Sequence, residues 1–122
     1  MASALDAVTW LFVPGDAPTR FDKAAASGAD LVVLDLEDAV GVDGKEDARE
    51  HVVAWLSAGH RPWVPVNAVQ TPWHEEDLDA LGGVEGLLGV MVPKAEGAAE
   101  LERISSRLAV PVVALVESAA GL

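Results

Sequence analysis

The sequence predicts an α/β fold in which parallel strands alternate with helices, as in the first part of a (β/α)8 barrel. Three observations carry this expectation. Apolar runs of strand length alternate strictly with stretches of helical period, giving four strand–helix pairs and a fifth strand. Such alternation requires right-handed crossovers and a parallel sheet. Each apolar run ends in polar residues: Asp16, then Glu37 and Asp38, then Asn67, Lys94 and Glu117. Chemistry gathered at one end of successive strands is how a (β/α)8 barrel builds its site. The length, 122 residues, is a little over half of the roughly 250 that a whole barrel needs.

The elements follow in order. Residues 1–8 read as a lead-in, and Trp10 to Val13 as a short apolar strand closed by Pro14-Gly15-Asp16. Pro18 and Thr19 open a helix to about Ser27, with Phe21, Ala24 and Ala25 on one face, and Gly28 ends it. The second strand lies in Leu31 to Val40, and Gly41 to Gly44 is a loop. Lys45 to Ala58 is an amphipathic helix, with Ala48, Val52, Trp55 and Leu56 inward and Gly59 as its stop. Trp63 to Ala68 reads as a third strand, although Pro65 removes a ladder donor inside it. Thr71-Pro72-Trp73-His74 leads into a short helix through Leu81, broken by Gly82-Gly83. Leu87 to Val92 is the fourth strand. Gly97 to Leu108 is the fourth helix, with Ala98, Leu101, Ile104 and Leu108 inward, and Val110 to Val116 is the fifth strand.

The stretch Leu31 to Val40, LVVLDLEDAV, organises the rest. Its branched apolar residues suit a strand buried on both faces. Asp35, Glu37 and Asp38 crowd its C-terminal end, where three carboxylates repel one another unless water, a metal or a cation intervenes. One wall of an active site is expected there. The plainer alternative is a buried strand running into a solvated helix start.

Composition narrows the function classes. Hydrophobic residues make up 51%, enough to build a core. The net charge of −12, with 20 acids against 8 Lys and Arg, argues against nucleic acid as a main partner. A small anionic substrate needs only a local patch and stays open. The absence of cysteine excludes disulfides, thiolate nucleophiles and cysteine metal sites. No apolar run approaches the roughly 18 residues of a membrane span, and the N-terminus lacks the pattern of a signal peptide, so a cytoplasmic protein with no membrane partner is expected. A five-stranded doubly wound domain, like a bacterial receiver, competes on length. It would place an acid pair after its first strand and a Lys after its fifth. Here the Lys follows the fourth strand and the fifth ends in Glu117.

Several blocks together resemble the N-terminal part of the HpcH/HpaI aldolase and citrate lyase β-subunit-like family. They are WLFVPGDAPTRFDKAAASGAD (Trp10 to Asp30), VVLDLEDAV (Val32 to Val40), VNAVQTPWHEEDL (Val66 to Leu78), GVMVPKAEGAAEL (Gly89 to Leu101) and ALVESAAGL (Ala114 to Leu122). The resemblance implies that residues 1–122 are the N-terminal part of one barrel domain. It also implies Mg2+ and a carbon–carbon lyase acting on a CoA thioester or a related 2-oxo or hydroxy acid. An enolate formed next to a carbonyl is stabilised by a divalent ion and a cation where the charge develops. A small-molecule acyl-CoA or carboxylic acid partner is implied, and at full length a homo-oligomer is allowed.

The site residues follow by matching positions. Glu117 matches a metal ligand that also faces substrate; the alternative is a carboxylate at a helix start. Glu37 and Asp38 match an acid pair around the metal's waters, and Lys94 a strand-end cation, unless it pairs with Glu96. Asn67 and Thr71 match a loop bordering substrate, against plain turn chemistry, and Arg20 matches an Arg of the first helix, against a solvated face. His74 invites a general-base reading, but its place at a helix start favours capping or exposure. Two departures stand out. Pro65 occupies the place of a substrate-binding Arg, and the sequence stops at Leu122, before the second metal carboxylate expected beyond the fifth strand. Two hypotheses follow: an N-terminal segment of a lyase, or a non-catalytic remnant or half-barrel that needs a partner chain.

Overall fold

The computed structural model describes residues 9–95 and 97–115. Five strands form one parallel sheet: β1 (Trp10–Pro14), β2 (Leu31–Asp35), β3 (Trp63–Pro65), β4 (Gly89–Pro93) and β5 (Val112–Leu115). They alternate with α1 (Phe21–Ala25), α2 (Lys45–Ser57), α3 (His74–Gly82) and α4 (Ala98–Leu108). The strand order is β1-β2-β3-β4-β5, so every crossover leads to the adjacent strand. This is the order of a (β/α)8 barrel. The receiver-like alternative is overturned here, because a doubly wound domain of that kind runs 2-1-3-4-5 and reverses direction at its first strand.

Local chemistry explains where the elements depart from expectation. Pro18 starts a 3-10 turn over Pro18–Arg20, and α1 proper then covers only Phe21–Ala25. Phe21 and Ala24, three residues apart, point inward, while Ala25 is exposed rather than inward. β3 is three residues long and not six. Pro65 has no N–H to give β2, and β2 and β3 share a single register pair, Val33↔Trp63. On its other side β3 pairs with β4 through Val64↔Val90 and Pro65↔Met91, and the chain stays buried to Ala68. β4 begins at Gly89, where a Cβ would lie 2.4 Å from the Trp63 ring. Only glycine lets that indole lie against the strand. At the start of α4, Ala98 is exposed and Ile104 carries the buried contact. Gly28 and Gly59 close α1 and α2 at φ +91° and +103°, as helix-terminating glycines do.

Side chains alternate across the sheet. One face, covered by the helices, holds the main core: Val13, Leu34, Leu36, Val64, Val66, Val90 and Val92 packed on Phe21, Ala48, Val52, Leu56, Leu78, Leu81 and Ile104. Full burial of each larger apolar side chain there contributes about 1.5–3 kcal/mol. The opposite face carries a small cluster of Val33, Trp63 and Met91, flanked by Trp10, Leu31, Leu88 and Leu115. By alternation with Trp10 and Leu115, Phe12 and Val113 share this face, and they are 49% and 44% exposed. Among the described residues the sheet is therefore covered by helices on one side, while on the other its centre is buried and Phe12 and Val113 are exposed.

Candidate functional site

The C-terminal ends of β1 to β4 come together at one edge. Gly15 follows β1 and donates its N–H to the Asp35 carbonyl at 2.7 Å. A Cβ on Gly15 would sit 2.8 Å from that oxygen, so the close approach requires glycine. Asp35, buried at the end of β2, folds its carboxylate back on its own loop. Its Oδ1 accepts the Glu37 N–H at 2.8 Å and its Oδ2 accepts the Ala39 N–H at 2.9 Å. One of the three clustered acids is thus engaged by the amides of its own loop. The acid pair that follows differs in exposure, with Glu37 half-buried and Asp38 exposed.

Lys45, the first residue of α2, closes the same turn from the other side. Its buried Nζ donates to the carbonyls of Leu36 at 3.0 Å and Glu37 at 2.6 Å, and lies 5.2 Å from the centroid of the Trp73 ring. A lysine at a helix N-terminus opposes the helix dipole. The two carbonyls and the indole face offset that cost. Sequence patterning assigned Lys45 nothing beyond a helix start. The legible signal was a cation where helices favour acids.

The end of β3 is held by α3. Asp77, 1% exposed, accepts the Asn67 backbone N–H at 2.9 Å and the Asn67 Nδ2 at 2.7 Å on one oxygen. Its other oxygen accepts Arg49 Nε at 3.0 Å. The His74 Nδ1 lies 2.7 Å from the Asn67 carbonyl, which can only accept, so Nδ1 carries the proton. The expectation of a capping or exposed His74 is overturned. The ring is 1% exposed, because α3 begins at His74 and turns its first residue onto the end of β3. Its Nε2 has no hydrogen-bond partner among the described residues. Arg49 and Asp77 are neighbours of Asn67 that sequence reasoning missed, and His74 is one that it weighed and set at the surface. Asp77 and His74 are three apart on one helix, but only the fold brings them to Asn67.

The remaining expected site residues are placed as follows. Thr71 makes turn contacts, both its N–H and Oγ1 donating to the Ala68 carbonyl at 2.9 and 2.7 Å. Lys94 is exposed just past β4 with φ +54°, a left-handed conformation that costs energy for a non-glycine residue. Arg20 is exposed and lines a shallow cleft with Leu11, Phe12, Val13, Lys23 and Ala24 beside β1. Pro65 is buried at the end of β3, and its carbonyl accepts the Leu36 N–H at 3.0 Å. Glu117 and Glu96 lie outside the described residues. The structure therefore ties the Leu36–Glu37 turn to α2 through Lys45 and Asn67 to α2 through Asp77 and Arg49, with Thr71 turned onto Ala68 and Arg20 at the side of β1.

Among the described residues no group of three or more His, Cys, Asp or Glu converges as a metal site. With the Asp35 carboxylate engaged by amides, the described residues do not complete a Mg2+ site. No helix among them is long and apolar enough to cross a membrane.

Comparison with known proteins places this geometry in context. The profile of the HpcH/HpaI aldolase/citrate lyase family matches residues 9–122. The chain is 45% identical over 112 residues to the citrate lyase subunit beta-like protein of Mycobacterium tuberculosis strain H37Rv, covering 92% of this chain and 39% of that protein. It is 34% identical over 117 residues to a (3S)-malyl-CoA thioesterase of Cereibacter sphaeroides strain KD131, covering 92% of this chain and 41% of the relative. The chain thus spans about two fifths of the length of these curated relatives. Its fold superposes on the CitE protein of Mycobacterium tuberculosis, solved with magnesium, acetoacetate and coenzyme A. The TM-score is 0.78 at 44% identity, over 94% of this chain and 42% of that one.

Proposed function

Because this chain belongs to the HpcH/HpaI aldolase/citrate lyase family, we propose that it is the N-terminal part of a Mg2+-dependent carbon–carbon lyase. Its substrate is a CoA thioester or a related 2-oxo or hydroxy acid, of the citryl-CoA or malyl-CoA kind. The observation that supports this most is the braced acid turn at the end of β2, which presents Glu37 and Asp38 beside the Asn67 loop. In such a reaction the substrate hydroxyl loses its proton, the carbon–carbon bond breaks, and the electron pair enters the thioester carbonyl as an enolate that is then protonated. A bound Mg2+ supplies charge stabilisation for the developing oxyanion. In the proposal, Glu37 and Asp38 hold the acidic wall and orient water and polar groups, and Lys94 supplies a cation at the neighbouring strand end. Glu117 serves as metal ligand and substrate contact; Asn67, Thr71 and Arg20 border the substrate. The enzyme is cytoplasmic, with neither nucleic acid nor membrane as partner, and at full length a homo-oligomer remains part of the reading.

The name of the thioesterase relative favours a second chemistry at the same site. Product analysis separates the two. Carbon–carbon cleavage of malyl-CoA yields acetyl-CoA and glyoxylate, whereas hydrolysis yields malate and free CoA. The sheet face with Phe12 and Val113 exposed favours a second state of the protein. In that state the chain is a non-catalytic remnant or a half-barrel needing a partner chain. The intact mass of the endogenous protein tests this. A species near twice 12.7 kDa supports a longer lyase, and one at 12.7 kDa supports the half-barrel. We expect the 122-residue chain alone to show no Mg2+-dependent cleavage of citryl-CoA or malyl-CoA, and Pro65→Arg not to rescue it. Cleavage by the isolated chain overturns the remnant reading. Rescue by the single change shows that the rest of the barrel is dispensable.

A further inference from the structure

Two cations on α2 point at two different strand ends. Lys45 and Arg49 are four residues apart, so they lie on the same helix face one turn from each other. Lys45 reaches the carbonyls of Leu36 and Glu37 in the acid turn. Arg49 reaches Asp77, which in turn holds both the backbone and side-chain amides of Asn67. The Asn67 carbonyl is taken by His74. Trp73, the residue before α3, lies against the Lys45 ammonium and links the two arms. The acid turn is held through both kinds of backbone group, its N–H groups by Asp35 and its carbonyls by Lys45. Lys45 is buried and the Arg49 side chain is only 12% exposed, with its Nη2 also 3.5 Å from the exposed Glu76 carboxylate.

We propose that Lys45 and Arg49 are positioning residues that fix the Glu37–Asp38 turn of β2 relative to Asn67 of β3. This deepens the lyase reading and rests on it for its functional meaning, though the brace itself is a property of the fold. The physical reason is reach and rigidity. Two loops at neighbouring strand ends otherwise drift independently, and a misplacement of about 1 Å in an active site costs roughly a hundredfold in rate. A single helix carrying both contacts converts two loops into one unit. Both contacts are made by a cationic donor on oxygen acceptors, so what the brace needs is a charged donor of the right reach at each position.

Amide hydrogen exchange and 15N spectra of the protein, at the length given by its intact mass, test the proposal. In the wild type, the Glu37 and Ala39 N–H groups and the Asn67 side-chain NH2 should exchange about tenfold or more slowly relative to unfolded-chain rates. Lys45→Met should speed exchange at Glu37 and Ala39 about tenfold, and Arg49→Met should do the same at the Asn67 NH2, each shifting those resonances. The conservative changes Lys45→Arg and Arg49→Lys should restore most of the protection, which a loss of general stability does not predict. Unprotected wild-type groups, unmoved resonances in the Met variants, or conservative variants that behave like Met each overturn it. If the Met variants do not fold, the wild-type rates and the conservative variants decide. Failure of every cleavage assay counts against the lyase reading alone and leaves these rates untouched.

Discussion

On one face of α3, Asp77 takes Arg49 and both amides of Asn67 out of water, with its side chain 1% exposed. On the other, Glu75 and Asp79 meet Arg103 and Arg107 of α4 in open solvent, with Glu75 and Asp79 63% and 72% exposed. Both are carboxylate–guanidinium clusters on one short helix. They differ in what remains when a partner is removed. Around Asp77 the Asn67 amides lose their acceptor while buried, and the mostly buried Arg49 keeps only a 3.5 Å contact to exposed Glu76, which is expensive. Around Glu75, water replaces the lost partner and salt screens the rest. The buried cluster therefore carries information about the placement of β3, while the exposed one joins two helices at their surface.

The largest expected effect is that of Asp77→Ala, which leaves the Asn67 NH2 without its acceptor in the interior and Arg49 with only the longer contact to exposed Glu76. It should lower the unfolding free energy by about 3–5 kcal/mol in urea titration. A loss below about 1 kcal/mol would make the buried cluster behave like a surface pair and break the contrast. Asp77→Asn keeps one carbonyl for the Asn67 amides but removes the charge facing Arg49. A smaller loss of about 1–3 kcal/mol is expected from the same titration. If the two variants lose equal amounts, the charge of Asp77 facing Arg49, and not hydrogen bonding to Asn67, dominates the site.

The smallest effect is on the exposed side. The hydrogen bond from Arg107 holds the Glu75 carboxyl below its ordinary value of 4.5, and Glu75 raises Arg107 in return. A carboxylate with a depressed pKa in the folded protein contributes stability that is present above its ordinary value. That contribution is lost as pH falls through the depressed one. Arg107→Ala should therefore move the Glu75 titration, followed by carboxyl NMR, up toward 4.5. The melting temperature at neutral pH and moderate salt should barely change. A Glu75 titration that stays low in Arg107→Ala would assign the shift to Arg103 or His74 instead, which also lower it.

Much of the fold was legible in local rules. Branched apolar runs gave the strands, helical spacing placed Ala48, Val52 and Leu56 inward, and Gly28 and Gly59 closed their helices in positive φ. Pro65 was legible as a problem, and its consequence, a β3 of three residues, needed the neighbouring strand to be seen. The site was legible only as residue types at strand ends. Glu37, Asp38 and Asn67 stood out because acids and amides after apolar runs are conspicuous. Lys45, Arg49 and Asp77 did not, because each sits in an ordinary amphipathic helix and draws its meaning from a partner elsewhere, and His74 stood out but its burial against Asn67 could not be read from spacing.

By itself the sequence determined the alternation of strands and helices, the turn and cap positions, and the resemblance that links residues 9–122 to a lyase family. These rest on local backbone preference and on spacing of 2 or 3.6 residues, which neighbouring residues specify among themselves. Only the tertiary structure decided the sequential strand order that excludes a receiver-like domain, and which carboxylates are engaged. It also decided that His74 is buried, and that one helix ties two strand ends together. The reason is separation along the chain. Arg49 and Asp77 are 28 residues apart and Lys45 and Leu36 are 9 apart, and no periodicity records such pairs until the sheet brings them together.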